Sequence, residues 1–424
     1  MLVGGEELAD GPAGVRAVVG GALQGGAPRR ARGGKWYVLP SFAAEVRGPA
    51  VRNDGGRAMT EGVLSLAELD RVAWAELACM GGPATDVPVR LRALTSTDTD
   101  HRHRAWQWLG THLYHQGTVH PAAAHAVPFL LGLLAEGGTP DRERTLGYLT
   151  RLVEPPSEDG ATPPADGPPG DDSARRAVVA GARAVLPHLD AVDPSTAGAA
   201  AELLAWLPEL AARSLPGLRR LCARRLPGRE RTTALIALGA LAGAAGTGSD
   251  PAMLERLLGD RTDPDRWAAA VALCRTTAPD QPPAAVAVMV AELAAANADP
   301  EGYERVWRTR FHDGHVAGLL AATLRQLPRE REESTRDVVA RQLVRTDGAP
   351  GVLAAVASGL VVDALGDVAT VAPGALTPWQ RAVLGALPGA YPAWVCGELG
   401  PWLTSAYGLP GTREALAAWL ARSG

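Results

Sequence analysis

RERTTALIALGAL, Arg229–Leu241, and DRWAAAVALCRT, Asp265–Thr276, are the stretches whose reading decides the fold. Each opens on a polar turn bearing arginine and runs on through alanine and leucine without proline, which favours helix. Arg231 and Arg266 stand 35 residues apart. HRHRAWQWLG (His101–Gly110) and SARRAVVAGARAVL (Ser173–Leu186) share the form, with Arg104 and Arg176 near their helix starts. Small Ala and Gly faces let neighbouring helices approach closely. A helix-pair period of this length predicts an all-α chain, an α-solenoid of antiparallel helix pairs in which each repeat buries its apolar side against the next.

Outward from these runs the same alternation of amphipathic segments and Pro, Gly or Asp punctuation continues. It begins near Met59, where Ser65 and Glu68 have capping-box spacing and Leu66, Leu69, Val72, Ala73 and Leu77 recur on one helical face. Residues 1–60 are Gly- and Arg-rich without periodicity, and read as a disordered tail or an over-extended start. Residues 154–172, EPPSEDGATPPADGPPGDD, are acidic, carry six prolines and cannot form a core. That insertion divides N-terminal repeats at 61–153 from C-terminal repeats at 173–424.

Composition narrows the function classes. Of 424 residues 46% are hydrophobic and only 5% aromatic, which favours helices over sheet. Lys35 is the single lysine, a bias that a GC-rich, actinobacterial genome imposes. A net charge of −4 argues against a protein that coats nucleic acid. Cys79, Cys222, Cys274 and Cys396 lie too far apart for a CxxC metal motif, and so large a chain does not need a disulfide scaffold. The N-terminus has acids where a secretory signal needs cations, and no apolar run reaches the roughly 18 residues of a membrane span. The expected setting is the cytoplasm, with no membrane contact.

Helices of the Arg229 and Asp265 type resemble HEAT-like repeats. HLYHQGTVHPAAAHAVPFLLGLL, His112–Leu134, is similar to a segment that recurs in a group of bacterial HEAT-repeat proteins. The resemblance covers roughly residues 65–424 and weakens towards the C-terminus. It implies a HEAT-like solenoid and says little about activity.

Six of the nine histidines fall between His101 and His125. A helix over Asp100–Gln116 carries His101, His112 and His115, Gly117 supplies a left-handed C-cap, and a second helix starts near Pro121. His120 sits in the turn and His125 about one turn into the next helix. Three imidazoles are enough for a catalytic zinc, but His101–Ala135 holds no Asp or Glu, and the i, i+4 spacing of zinc helices is absent. Phe311–Val316, FHDGHV, echoes Tyr114–Val119, YHQGTV, 197 positions earlier. A shared inter-helix turn explains the echo, with the aromatic packed inward, the imidazole at the helix-end carbonyls and glycine at positive φ. A polar surface in which His115 contacts ligand is the second reading. No metal or cofactor is implied.

Arg213, Arg219, Arg220, Arg224, Arg225, Arg229 and Arg231 are accompanied only by Glu230, so the run could grip phosphates or simply be a solvated face. Arg325–Arg345 is interleaved with acids and reads as a self-paired face. Trp106, Trp108, Trp206, Trp267 and Trp307 fall in repeat helices, where tryptophan is mostly core. The segment Trp307–Asp313, WRTRFHD, combines aromatics, cations, imidazole and a carboxylate. No nucleophile elbow, P-loop or dinucleotide-binding motif is present.

Two functions compete. The first is a binding scaffold whose concave face takes a protein partner, or an anionic small molecule, through Trp267, Trp307, Arg310, Arg224, Arg225 and His115. Nucleic acid is not the favoured partner. The second resembles HEAT-like enzymes of alkylating natural-product metabolism or DNA repair, either aziridine-forming or glycosylase-like. There Asp265 beside Trp267, or Asp313 and His312 beside Trp307, would supply acid–base chemistry between aromatic walls.

Overall fold

The computed structural model describes residues 62–115, 118–137, 139–154, 173–244, 251–276, 282–298, 309–311, 316–325, 372–389 and 399–422, with positions 357, 360, 361, 364, 365 and 394. These residues all belong to one compact unit, Ala58–Gly424. The expected N-terminal tail, nearly all of the Pro-rich insertion and most of the self-paired Arg325–Arg345 face lie outside the described residues. The described chain is all-α apart from two short antiparallel ladders. Among the described residues, no helix is long and apolar enough to cross a membrane.

The capping box at Ser65 forms, with Glu68 accepting from the Ser65 N–H at 3.2 Å. The α-helix expected beyond it does not form. Leu66–Arg71 is a 3-10 turn, Trp74–Glu76 a second one, and β1 (Ala78–Cys79) then pairs with β2 (Gly82–Pro83). Tertiary burial overrides the helical pattern, because Leu69 and Trp74 both turn into the core and the Trp74 Nε1–H donates to the Leu69 carbonyl at 2.8 Å. Gly81, at φ +89°, makes the hairpin turn that an L side chain would strain.

The helices run as α1 (Val87–Ala93), α2 (Thr99–His112), α3 (Pro121–Glu136), α4 (Arg142–Val153), α5 (Ser173–Ala180) and α6 (Pro194–Ala205). Next come α7 (Ala211–Ala223), α8 (Gly228–Ala244), α9 (Pro251–Gly259), α10 (Arg266–Thr276), α11 (Pro283–Ala298) and α12 (Val316–Arg325). Proline opens α3 at Pro121 as the sequence predicts, and left-handed Gly137 ends it, while the expected left-handed cap Gly117 lies outside the described residues. α2 ends at His112, earlier than the expected Gln116. Tyr114–His115 (β3) instead pairs with Thr118–Val119 (β4), because Leu113 is wholly buried and its carbonyl receives the His120 N–H at 2.9 Å.

Packing is ordered along the sequence. α4 packs on α6, α6 on α8 and α8 on α10, while α3 packs on α5 and α9 on α11. Sequential neighbours also touch: α3 with α4, α7 with α8, α9 with α10. Thr232–Gly239 of α8 and Trp267–Cys274 of α10 are buried without interruption, so both helices are covered on every side. Towards the C-terminus, α13 (Pro378–Ala386) packs against α15 (Arg413–Ala421), with α14 (Leu399–Tyr407) between them in sequence.

α8 and α10 meet over Gly239, where an added Cβ would run into the Ala272 backbone. Gly to Ala in a helix ordinarily gains up to about 1 kcal/mol. Here Gly239→Ala is expected to lose about 1–3 kcal/mol through overpacking, read as a lower urea midpoint. An unchanged or higher midpoint would remove this close approach.

Candidate functional site

One device recurs along the ladder. An arginine close to a helix start clasps an acid in the turn before a later helix. Arg102 Nε donates to Asp141 Oδ2 at 3.0 Å, and Trp106 Nε1–H to the same oxygen at 3.2 Å. Arg175 grips Glu209 bidentately, with Nη2 to Oε2 at 2.7 Å. Arg231 bridges Asp263 and Asp265, reaching the latter at 2.9 Å. The clasped acid lies 39, 34, 32 and 34 residues downstream of its arginine. The hydrogen bonds to Asp263 hold the Arg231 guanidinium above its ordinary pKa, and Asp263 is held below the usual carboxylate value in return. The sequence points to Arg104 and Arg176, whereas the buried members are their neighbours Arg102 and Arg175.

The most densely built polar site lies across α4, α6 and α8. Arg310 Nε donates to Glu202 Oε2 at 2.8 Å, Nη1 donates to Glu143 Oε1 at 2.8 Å, and Glu230 Oε1 stands 3.9 Å away. The backbone N–H of Arg310 donates to Thr233 Oγ1 at 3.0 Å. Thr309 is fully buried, and the Phe311 ring sits 6.5 Å from that of Trp206. Gly198 makes room: a Cβ there would meet Glu230 Cγ at 2.9 Å and Arg310 Cδ at 3.5 Å. Burial opposes the Arg310 charge, yet Glu202 and Glu143 outweigh it and hold its pKa above the ordinary arginine value. Sequence reading did not bring Glu143, Glu202 and Glu230 together, since each stands on a different helix, 28 to 59 residues from the next.

A second arrangement lies near the N-terminal hairpin. The Trp108 and His112 rings stack at 4.1 Å and 7°, and the Arg90 guanidinium lies 5.4 Å from the Trp108 ring centre. His112 Nδ1 lies 2.9 Å from the Trp108 carbonyl, which can only accept, so this nitrogen carries the proton. Met80, 37% exposed, donates its N–H to the His112 carbonyl, and Val89, 60% exposed, adjoins Arg90. The imidazole at the end of α2 therefore belongs to His112. The side chain of His115, the sequence candidate, lies outside the described residues.

The other candidates are scattered. Trp267 is fully buried in α10, with no face open to a ligand. Asp265 is buried and clasped by Arg231. Arg224 caps the end of α7, with long contacts to the Leu189 and Val192 carbonyls, and Arg225 is exposed beside it. Arg220 pairs with Asp190. Trp307, His312 and Asp313 lie outside the described residues. Among the described candidates Arg310 and Asp265 lie in built polar sites, and the neighbours of Arg310 are carboxylates. Among the described residues no three His, Cys, Asp or Glu side chains stand close enough to hold a metal ion.

Two other histidines carry a pH prediction. Burial lowers the pKa of His125, and burial with the nearby Arg142 charge lowers that of His188. Both folded values fall below the ordinary 6.5, so protonation favours the unfolded chain. Their contribution is intact well above pH 6.5 and is lost as pH drops through the unfolded value towards the folded ones. The melting temperature should accordingly decline below about pH 6.5. His188→Gln should flatten that decline, and an equally steep profile in the variant would sink the assignment.

The fold and these sites define the class as an all-α protein with sequence-ordered helix packing. No protein-family model matches the chain, and no curated protein does. A solved crystal structure of an engineered protein is similar at 15% identity and TM-score 0.35, covering 80% of this chain and 98% of that one. A likeness that remote carries no argument.

Proposed function

We propose that the chain is a HEAT-like α-solenoid that serves as a binding scaffold for a protein partner. Sequence-ordered packing, with arginine–acid clasps at near-repeat spacing, is what such a scaffold requires. The observation that carries the binding role is the Trp108–His112–Arg90 stack, with exposed Met80 bonded through its N–H to the His112 carbonyl and exposed Val89 next to Arg90 in sequence. Tryptophan and arginine dominate interface hot spots, and exposed apolar side chains around them supply the area. An anionic small molecule is a weaker fit, because Arg220 and Arg231 are already engaged by acids of the chain. The HEAT-like enzyme alternative is less favoured for a similar reason: Asp265 is tied to Arg231 rather than open to a substrate.

Trp108→Ala is the test, made against a partner captured from the native host and then purified. Affinity should fall at least tenfold, the scale of a hot-spot loss of about 2 kcal/mol, with helicity unchanged by circular dichroism. Undiminished binding by a folded Trp108→Ala protein would exclude this surface.

A further inference from the structure

The three described residues Thr309–Phe311 bond to side chains that lie far upstream in the sequence. They lie against helices that precede them by 77 residues at Thr233, 108 at Glu202 and 167 at Glu143. α10 and α11 extend the ladder beyond α8, yet this short segment returns to α4, α6 and α8. Its central side chain is inserted rather than laid on the surface, with Arg310 only 7% exposed and Glu230 equally covered. The contacts have the form of a peptide recognised in a groove. One guanidinium is read by carboxylates from two helices, one backbone N–H is read by a threonine hydroxyl, and an aromatic anchor occupies the next position. A glycine on the middle helix leaves the volume that the arginine stem fills.

We propose that Glu143, Glu202 and Glu230 form a guanidinium-reading cleft and that Thr309–Phe311 is its built-in occupant, which an arginine of a partner polypeptide displaces. The proposal rests on the reading of the chain as a binding scaffold and names the chemistry of what it binds. Arginine suits the cleft better than lysine, because Glu202 and Glu143 are met by two different nitrogens of one planar fork, whereas an ammonium would need both acids to converge on a single nitrogen. While the segment is seated, the cleft is closed to other chains. A partner gains access by matching both the arginine and the aromatic next to it.

The probe is a synthetic peptide of residues 305–314, RVWRTRFHDG, with a control carrying alanine in place of Arg310. Arg310→Ala protein, shown to be folded by circular dichroism, should bind the peptide at least tenfold more tightly than the wild type does. It should not bind the control, and adding Glu202→Gln should abolish binding. A folded variant that binds no peptide overturns the proposal, as does equal binding by variant and wild type. Should Arg310→Ala fail to fold, hydrogen exchange of the wild-type protein decides. Methylguanidinium should speed exchange of the Arg310 amide more than methylammonium at equal concentration, while amides within α8 are unaffected. Exchange of that amide only through global unfolding, or equal effects of the two cations, makes the contact permanently structural. Failure here with Trp108-dependent partner binding retained removes this cleft alone. Loss of the Trp108 result with peptide binding retained removes the Trp108 surface instead.

Discussion

Arg310→Ala should lower the unfolding free energy by about 3–5 kcal/mol, the cost of removing one partner from a buried ion pair. Two features place the effect at this size. The guanidinium is set against Glu202 and Glu230, whose side chains are 15% and 7% exposed. The side chain also ties Glu143 of α4 to Glu202 of α6 across 167 and 108 residues of chain, and its loss removes that link as well. Arg310→Lys should recover only part of the loss, since an ammonium keeps the charge without the fork. Chemical denaturation of both variants reads the outcome. In a double-mutant cycle, Glu202→Gln should lose less in the Arg310→Ala background than in the wild type, by about 0.5–3 kcal/mol. Additive losses would mean that the two side chains do not interact.

Arg231→Ala should cost about 2–4 kcal/mol at neutral pH, because it takes the shared guanidinium away from two largely buried carboxylates. Asp263 and Asp265 have side chains 12% and 10% exposed, and without the guanidinium each repels the other. The sign with pH comes from Asp263, whose folded pKa is held down by Arg231. A depressed carboxylate contributes stability that is fully present above the unfolded value, about 3.9, and is lost as pH falls through the folded value. The gap in stability between wild type and Arg231→Ala should thus be wide at pH 7 and narrow below about pH 4. A gap that stays constant with pH would mean that the loss comes from packing of the arginine stem and not from its charge.

Local signals were legible in the sequence because their causes lie within one or two helical turns. The capping box at Ser65, proline opening α3 at Pro121, and the Ala- and Leu-rich runs of α8 and α10 need no distant partner to be read. The all-α class is set by them. So is the repeated arginine at helix starts, although the sequence could not tell Arg102 from Arg104 or Arg175 from Arg176. Helical positions one and two apart point about 100° and 200° away from each other, and only the neighbouring helix decides which of them is buried against an acid.

Tertiary structure alone decided the rest. Leu66–Leu77 has a helical pattern, yet burial of Leu69 and Trp74 turns it into 3-10 turns and a strand. α2 stops at His112 because Leu113 and the β3–β4 ladder take over the hydrogen bonds that a longer helix would have made. Trp267 became core although its sequence neighbours suggested a pocket wall. Most of all, Arg310 meets Glu143, Glu202 and Glu230 across separations of 80 to 167 residues. Helix propensity and capping are set by neighbours along the chain, whereas the partner of a buried charge is set by which surfaces the folded ladder brings within about 3 Å of it.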